Sequence, residues 1–71
     1  MKLETRIMQA RKRLADEERR FEELTIEARK WSDQHLWVVA ARWFMKAANK
    51  AKDASFAAED LRRLEEQQVT T

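Results

Sequence analysis

Glycine and proline are both absent from this 71-residue chain, and that absence limits its fold more than any motif in it. Tight turns and most backbone positions with positive φ depend on glycine, while proline is the residue that most often breaks a helix. The chain is rich instead in Ala, Leu, Glu, Lys and Arg, which lose the least free energy on entering a helix. The sequence therefore predicts an all-α protein with a single domain, residues 1–71.

The first half of the chain carries a heptad pattern. Apolar residues recur at alternating steps of four and three, and one polar residue, Glu17, interrupts them. This spacing is typical of a helix that packs along a narrow seam against another helix, as in a coiled coil. The predicted seam of the first helix consists of Leu3, Ile7, Ala10, Leu14, Glu17, Phe21, Leu24, Ala28 and Trp31.

The second half carries a heptad pattern of its own, in which alanine is frequent. Its predicted seam consists of Trp37, Ala40, Phe44, Ala47, Ala51, Ala54, Ala58 and Leu61. Folding the chain back on itself would pair Leu14 with Ala51, Ile7 with Ala58 and Phe21 with Phe44. Large residues then face small ones along much of the seam. We therefore predict a long antiparallel two-helix hairpin, with one uninterrupted helix as the alternative.

The helix boundaries are expected from capping residues. We predict a first helix over about 2–30, a turn over about 31–34, a second helix over about 33–67 and a frayed tail over 68–71. In the turn, Ser32 or Asp33 would accept hydrogen bonds from the first free N–H groups of the second helix. A further break near residues 53–55 is the alternative, since Asp53 and Ser55 are also capping residues.

Catalytic motifs are not recognisable in the sequence. The chain has no cysteine and no glycine-rich phosphate loop. Its single histidine, His35, has no carboxylate three residues away that would complete a metal-binding pair on one helix face. Ser32 and Ser55 lie at predicted helix starts, where capping is their ordinary role. We therefore expect a protein that is not an enzyme and that has no metal site or cofactor.

The charge pattern predicts a protein that does not enter the membrane. Acidic and basic residues are interleaved, and the net charge is +2. The most apolar stretch, residues 36–48, is too short to span a bilayer and contains Arg42 and Lys46. Charged residues also interrupt the start of the chain, where a signal peptide would need an apolar run. We expect a cytoplasmic location, with which the absence of cysteine agrees.

An apolar surface is left outside the two predicted seams, near the turn. Monomers rarely expose a large continuous apolar patch, and tryptophan and methionine are enriched in protein interfaces. We predict a partner or oligomer interface formed by Ile26, Leu36, Val38, Val39, Trp43 and Met45. It would join two hairpins into a homodimeric four-helix bundle, or hold a different protein. The predicted function is that of a small regulator, inhibitor, adaptor or chaperone of a larger protein.

Two clusters of basic residues predict an alternative function. In the predicted hairpin, residues 11–13 lie beside residues 50–52, and their side chains would form a basic belt at mid-length. The belt would consist of Arg11, Lys12, Arg13, Lys50 and Lys52. Such a belt would suit nucleic-acid phosphates or an acidic partner protein. A solvated charged face is the other interpretation, because no aromatic residue lies among these bases to stack on a nucleobase.

Overall fold

The computed structural model describes the backbone of residues 1–70 and the side chains of residues 1–69. Two α-helices, α1 at Leu3–Asp33 and α2 at Trp37–Thr70, pack against each other as a hairpin 54 Å long. The described residues contain no strand. The prediction of an all-α two-helix hairpin is thus confirmed, and the alternative of one uninterrupted helix is wrong.

The turn is built from the C-terminus of α1, and it lies slightly later in the chain than predicted. The chain reverses at residues 34–36. The His35 N–H donates to the Ser32 carbonyl oxygen at 2.9 Å, and the Leu36 N–H donates to the Trp31 carbonyl oxygen at 3.0 Å. This pair of bonds is the Schellman motif, which satisfies carbonyl groups that a helix end otherwise leaves free.

His35 occupies the left-handed backbone region in this turn, with φ of 62°. Glycine usually fills this position of a Schellman motif, because it has no Cβ to clash with the backbone. The chain contains no glycine, so a histidine adopts the conformation. Ser32 and Asp33 belong to the last turn of α1, so their predicted role as caps of the second helix is wrong.

The second helix is continuous from Trp37 to Thr70. The alternative break near residues 53–55 does not occur, because the alanines around this segment favour helix. Residues 68–70 are helical, so the predicted frayed tail is wrong for that part. The last residue of that tail, Thr71, lies outside the described residues.

The seam of α1 is the predicted one. All nine of its positions are buried or half-buried. Ile7 is 3% exposed, Leu24 is 6% exposed and Ala28 is completely buried. Glu17, the polar residue of the pattern, also lies half-buried in the seam. Heptad spacing was a sufficient guide here because no second apolar stripe competes with it on α1.

The seam of α2 is rotated relative to the predicted one. Its main positions are Ala40, Trp43, Ala47, Lys50, Ala54, Ala57, Leu61 and Leu64, all buried or half-buried. Four of the predicted positions are wrong, since Trp37, Phe44, Ala51 and Ala58 are exposed. The physical reason is that the predicted and the observed seam share the alanines Ala40, Ala47 and Ala54, and α2 carries apolar residues on both sides of these alanines. Spacing alone therefore permits either side to face α1.

Three ion pairs between the helices show the register of the hairpin. Lys50 pairs with Glu17, Arg13 with Asp60 and Arg11 with Glu65, at N–O distances of 3.1, 3.4 and 3.2 Å. Residues early in α1 therefore lie beside residues late in α2, as an antiparallel pair requires. The predicted contacts were Leu14 with Ala51, Ile7 with Ala58 and Phe21 with Phe44. These are wrong as seam contacts, because the α2 member of each pair is exposed.

Candidate functional site

An exposed apolar face runs along α2 beside the hairpin seam. Seven residues recur there at alternating steps of four and three, which is the spacing of a second heptad pattern. They are Trp37, Ala41, Phe44, Ala48, Ala51, Ser55 and Ala58, and all seven are exposed. We call this surface the α2 apolar face. Two large aromatic residues, Trp37 and Phe44, lie near the turn end of this face. Their side chains are 62% and 44% exposed.

The hairpin seam and the α2 apolar face are two sides of the same helix. Each of Ala40, Ala47 and Ala54 lies in the seam and is followed directly by a residue of the α2 apolar face. Successive residues of an α-helix are about 100° apart around its axis. A single partner helix covers only a narrow stripe, so α1 leaves the second stripe in contact with solvent.

The predicted interface residues do not form one patch. Ile26, Leu36, Val38 and Met45 are exposed, whereas Val39 and Trp43 are half-buried. Val38 and Met45 lie one helical turn from Ala41 on either side of it in sequence. They therefore widen the α2 apolar face towards the outer side of the hairpin.

Ile26 and Trp43 lie elsewhere. Ile26 is two residues from the buried Leu24 and Ala28, so it points away from α2. Trp43 lies in the hairpin seam, and the Lys46 ammonium is 4.4 Å from the centroid of its ring. This cation–π contact covers part of the ring that the seam leaves open. Neither residue contributes to the α2 apolar face.

The turn holds the aromatic end of the face in place. The Trp37 ring packs against the His35 imidazole, with 5.5 Å between the ring centroids and 59° between the ring planes. Leu36 is 44% exposed, and the Schellman motif brings it towards Trp31 on the last turn of α1. The face therefore starts from a hydrogen-bonded turn and not from a loose loop.

The structure does not assemble the predicted basic belt. Arg11 and Arg13 pair with Glu65 and Asp60, which lie well beyond residues 50–52 on α2. Lys50 contacts Glu17 at 3.1 Å and Asp53 at 3.4 Å instead. Asp60 is eight residues past Lys52, a distance of roughly 12 Å along the helix. Lys12 and Lys52 are exposed, and the Lys52 ammonium lies 6.0 Å from the Phe56 ring.

The contact between Lys50 and Glu17 is a polar layer inside an otherwise apolar seam. The two side chains are 33% and 22% exposed, which makes this the least exposed ion pair in the described residues. The hydrogen bond to Glu17 raises the pKa of Lys50 above its ordinary value, with partial burial opposing it and Asp53 adding to the rise. The ammonium is therefore held in its charged form by carboxylates on both helices.

Several charged residues of α1 lie on the same side of the hairpin as the α2 apolar face. Arg11 marks that side, because it contacts Glu65, which is one heptad beyond Ala58. Glu18, Glu22 and Arg29 follow Arg11 by close to whole numbers of helical turns, so they share its side of α1. All three are exposed, and none has an ion pair with any residue whose side chain the structure describes.

Two further kinds of site are not found in the described part of the chain. No group of three or more His, Asp or Glu side chains is arranged to hold a metal ion there. Neither α1 nor α2 contains a stretch that is long and apolar enough to cross a membrane.

Comparisons with known proteins return no relative of this chain. No protein-family model, no curated protein sequence and no solved structure matches it.

The residues of the α2 apolar face overlap with those that the heptad spacing predicted for the hairpin seam. Trp37, Phe44 and Ala51 fit that seam by spacing, and only their exposure separates them from it. One signal in the sequence points to the correct side. Each helix has one polar seam residue near mid-length, Glu17 and Lys50, and pairing them selects the observed side of α2.

Proposed function

We propose that this protein is a helical hairpin that acts by binding another protein chain through the α2 apolar face. The observation that carries the proposal is the row of seven exposed positions at heptad spacing, of which six are apolar. Heptad spacing is the pattern by which a helix recognises another helix, and α1 already occupies the only other such stripe on α2.

The energetics favour a covered face. A chain of this size obtains only about 3–5 kcal/mol of stability from its own core. Covering the exposed part of Phe44 alone contributes on the order of 1 kcal/mol, and Trp37 has a larger exposed surface to bury. Binding to the folded hairpin would also stabilise it against unfolding by mass action. Exposed aromatic residues of this kind are the usual anchors of protein interfaces.

We further propose a role without chemistry of its own, as a regulator, inhibitor, adaptor or chaperone of a larger protein. A role of this kind requires only a specific surface and a rigid support for it. The hydrogen-bonded turn and the half-buried ion pair of Lys50 with Glu17 contribute to such a support, because both hold α1 against α2.

Nucleic-acid binding stays a prediction from the sequence, and we do not adopt it as the function. Arg11, Arg13 and Lys50 are each in contact with a carboxylate, so contact with phosphates would require those ion pairs to break. A labelled RNA or DNA whose fluorescence anisotropy rises with the protein at low salt, and falls steeply as salt is added, would revive this alternative.

The proposed function is tested by comparing Phe44→Glu with Ile26→Glu. Both replace an exposed apolar residue with the same charge, but only Phe44 lies on the α2 apolar face. We expect Phe44→Glu to retain its helix content in circular dichroism and to lose association with itself or with a protein captured from the native host. Ile26→Glu should retain that association. A wild-type chain whose associations are the same as those of Phe44→Glu would refute the proposal.

A further inference from the structure

We infer that a groove at the open end of the hairpin, far from the turn, binds the carboxylate form of a medium-chain fatty acid. The groove lies between α1 and α2 and has a volume of about 560 Å³. Ligand clefts in proteins measure about 300–1,000 Å³. We call it the open-end groove. Its apolar floor consists of Ala10, Ala57 and Leu64, and its charged rim consists of Arg6, Arg13, Asp60 and Arg63.

The open-end groove is separate from the α2 apolar face. Arg13 contacts Asp60 on the side of the seam that carries the groove, whereas Arg11 contacts Glu65 on the side of the α2 apolar face. Arg11 and Arg13 are two residues apart, which is about 200° around the axis of α1, so they flank the seam on opposite sides. The inference therefore goes beyond the proposed function and does not depend on it.

The floor of the groove is apolar and is formed largely by small side chains. Ala57 is 1% exposed, and Ala10 and Leu64 are half-buried. Alanine on both helices leaves space that larger side chains fill elsewhere in the seam. The lining residues on α2 extend from Ala57 to Gln67, ten residues further on, so the groove is roughly 15 Å long. An alkyl chain laid along it would lose contact with water on one side and cover the floor on the other.

The rim of the groove carries one positive charge that no carboxylate of the described residues balances. Arg13 pairs with Asp60 at 3.4 Å, and Arg63 pairs with Glu59 at 2.8 Å. Arg6 is exposed and has no ion pair with any residue whose side chain the structure describes. A ligand with one negative charge would balance Arg6 without breaking the other two pairs.

Arg6 lies at the end of the groove that is farther from the turn. Arg11 is level with Glu65, and α1 and α2 are antiparallel, so Arg6 is level with the last residues of α2. The next hollow towards the chain ends contains Lys2 and Glu4, whose opposite charges offset each other. The carboxylate of the ligand would therefore lie at Arg6, with its alkyl chain directed towards Ala57.

A fatty acid matches the groove better than a simple anion or a peptide does. The guanidinium of Arg6 presents paired donors that fit a carboxylate. An inorganic anion would pair with Arg6 but leave the apolar floor uncovered. A peptide segment would place backbone N–H and C=O groups against Ala10, Ala57 and Leu64, whose side chains cannot form hydrogen bonds with them. An alkyl chain has no such groups.

Titration of the whole chain with decanoate at pH 7 tests the inference. We expect saturable binding in calorimetry, with a dissociation constant below about 1 mM. Acetate has the same head group without the chain, and decyltrimethylammonium has the same chain with the opposite charge. Both should bind at least about tenfold more weakly. No binding of decanoate, or equal binding of decyltrimethylammonium, would overturn the inference.

The location is tested by the shifts of backbone amide signals in NMR spectra during the same titration. The largest shifts should occur at Ala10, Ala57 and Leu64. Phe44→Glu alters the α2 apolar face and should bind decanoate as the wild type does. If the largest shifts occurred at Trp37 and Phe44, decanoate would be bound to the α2 apolar face and the open-end groove would not be its site.

Two variants test the roles of the rim and the floor. Arg6→Glu reverses the unbalanced charge, and we expect it to weaken decanoate binding about tenfold. Arg29→Glu is the matched control, because Arg29 is another exposed arginine of α1 without an ion pair but lies near the turn. It should change the affinity by less than about twofold. Equal effects of the two charge reversals would overturn the assignment of the head group to Arg6.

Ala10→Leu places a larger side chain on the floor of the groove, and we expect it to reduce the affinity about tenfold while circular dichroism shows the helix content of the wild type. Arg6 is exposed, so the result for Arg6→Glu does not depend on repacking of the seam and decides the question if Ala10→Leu loses helix content. A folded Ala10→Leu variant that binds decanoate as tightly as the wild type does would overturn the inference.

Discussion

Glu17 and Lys50 face each other across the hairpin seam, with 3.1 Å between the Glu17 Oε2 and the Lys50 Nζ. Each is the one charged residue of its own heptad seam. Asp53, one turn after Lys50, contributes a second carboxylate at 3.4 Å. A single polar layer in an apolar seam costs stability, but it penalises every register in which its two members do not meet. The pair therefore favours the arrangement in which the Lys50 side of α2 faces α1.

Glu17 and Lys50 should be strongly coupled in a double-mutant cycle. Glu17→Leu leaves the Lys50 ammonium without its closest carboxylate in a half-buried position, so we expect it to lower the free energy of unfolding. Glu17→Leu combined with Lys50→Leu removes both charges, and we expect a chain more stable than either single variant. Urea unfolding at one fixed protein concentration measures both effects. The exposed pair Arg20–Glu23 is the control, with a coupling close to zero. Additive effects at Glu17 and Lys50 would contradict the prediction.

The pKa of Lys50 makes the stability of the hairpin dependent on pH in the alkaline range. Because the hydrogen bond to Glu17 raises this pKa in the folded chain, the folded chain binds the proton more tightly than the unfolded chain does. The stabilisation is complete below the ordinary lysine pKa of about 10.4, and it is lost as the pH rises through the raised value.

The measurement is urea unfolding of three chains between about pH 9 and pH 12. Wild type should lose more stability over this range than Lys50→Met. Lys52→Met is the matched control, since it removes an exposed lysine two residues away and should retain the dependence of the wild type. If the unfolding free energies of wild type and Lys50→Met fell equally with pH, the contact with Glu17 would not raise the pKa of Lys50.

His35→Gly should stabilise the hairpin. His35 adopts φ of 62°, which brings its Cβ against the following carbonyl group, and glycine has no such contact. The greater freedom of glycine in the unfolded chain and the loss of the contact between His35 and Trp37 both reduce the gain, so we expect about 0.5 kcal/mol in net stability. Gln34→Gly is the control, because Gln34 has φ of −89° and gains nothing from glycine. Thermal unfolding of both variants tests the prediction, and equal shifts in the same direction would contradict it.

Ile7→Ala should destabilise the hairpin by roughly 2–3 kcal/mol, because it removes a buried side chain and leaves a cavity in the seam. Ile7 is 3% exposed, whereas its neighbour Met8 is 69% exposed. Met8→Ala should therefore change the unfolding free energy by less than about 0.5 kcal/mol. Urea unfolding compares the two variants directly. Similar losses for both would place the core of α1 on a different face.

Much of the fold could be predicted because the relevant signals are local. A chain without glycine or proline that repeats apolar residues at heptad spacing has few alternatives to long helices. On α1 only one apolar stripe exists, so its seam followed directly from spacing. The turn was harder to place, since its left-handed position is filled by His35, a residue type with no strong preference for that conformation.

The candidate site could be predicted only in part, because it depends on which side of α2 the first helix covers. Trp37 and Phe44 were expected inside the hairpin, and Val39 and Trp43 were expected on its surface. Both assignments depend on a rotation of α2 about its own axis. The heptad spacing of apolar residues does not determine that rotation when both sides of a helix are apolar.

The sequence by itself determined that this chain is helical and which stripe of α1 packs inward, and it favoured a hairpin over one uninterrupted helix. Those properties depend on backbone preferences and on contacts between residues three and four apart. Only the tertiary structure decided that the α2 stripe containing Lys50 faces α1 and that the stripe containing Phe44 faces solvent. The physical reason is that this choice depends on contacts between residues far apart in the chain, among them the ion pair of Glu17 with Lys50.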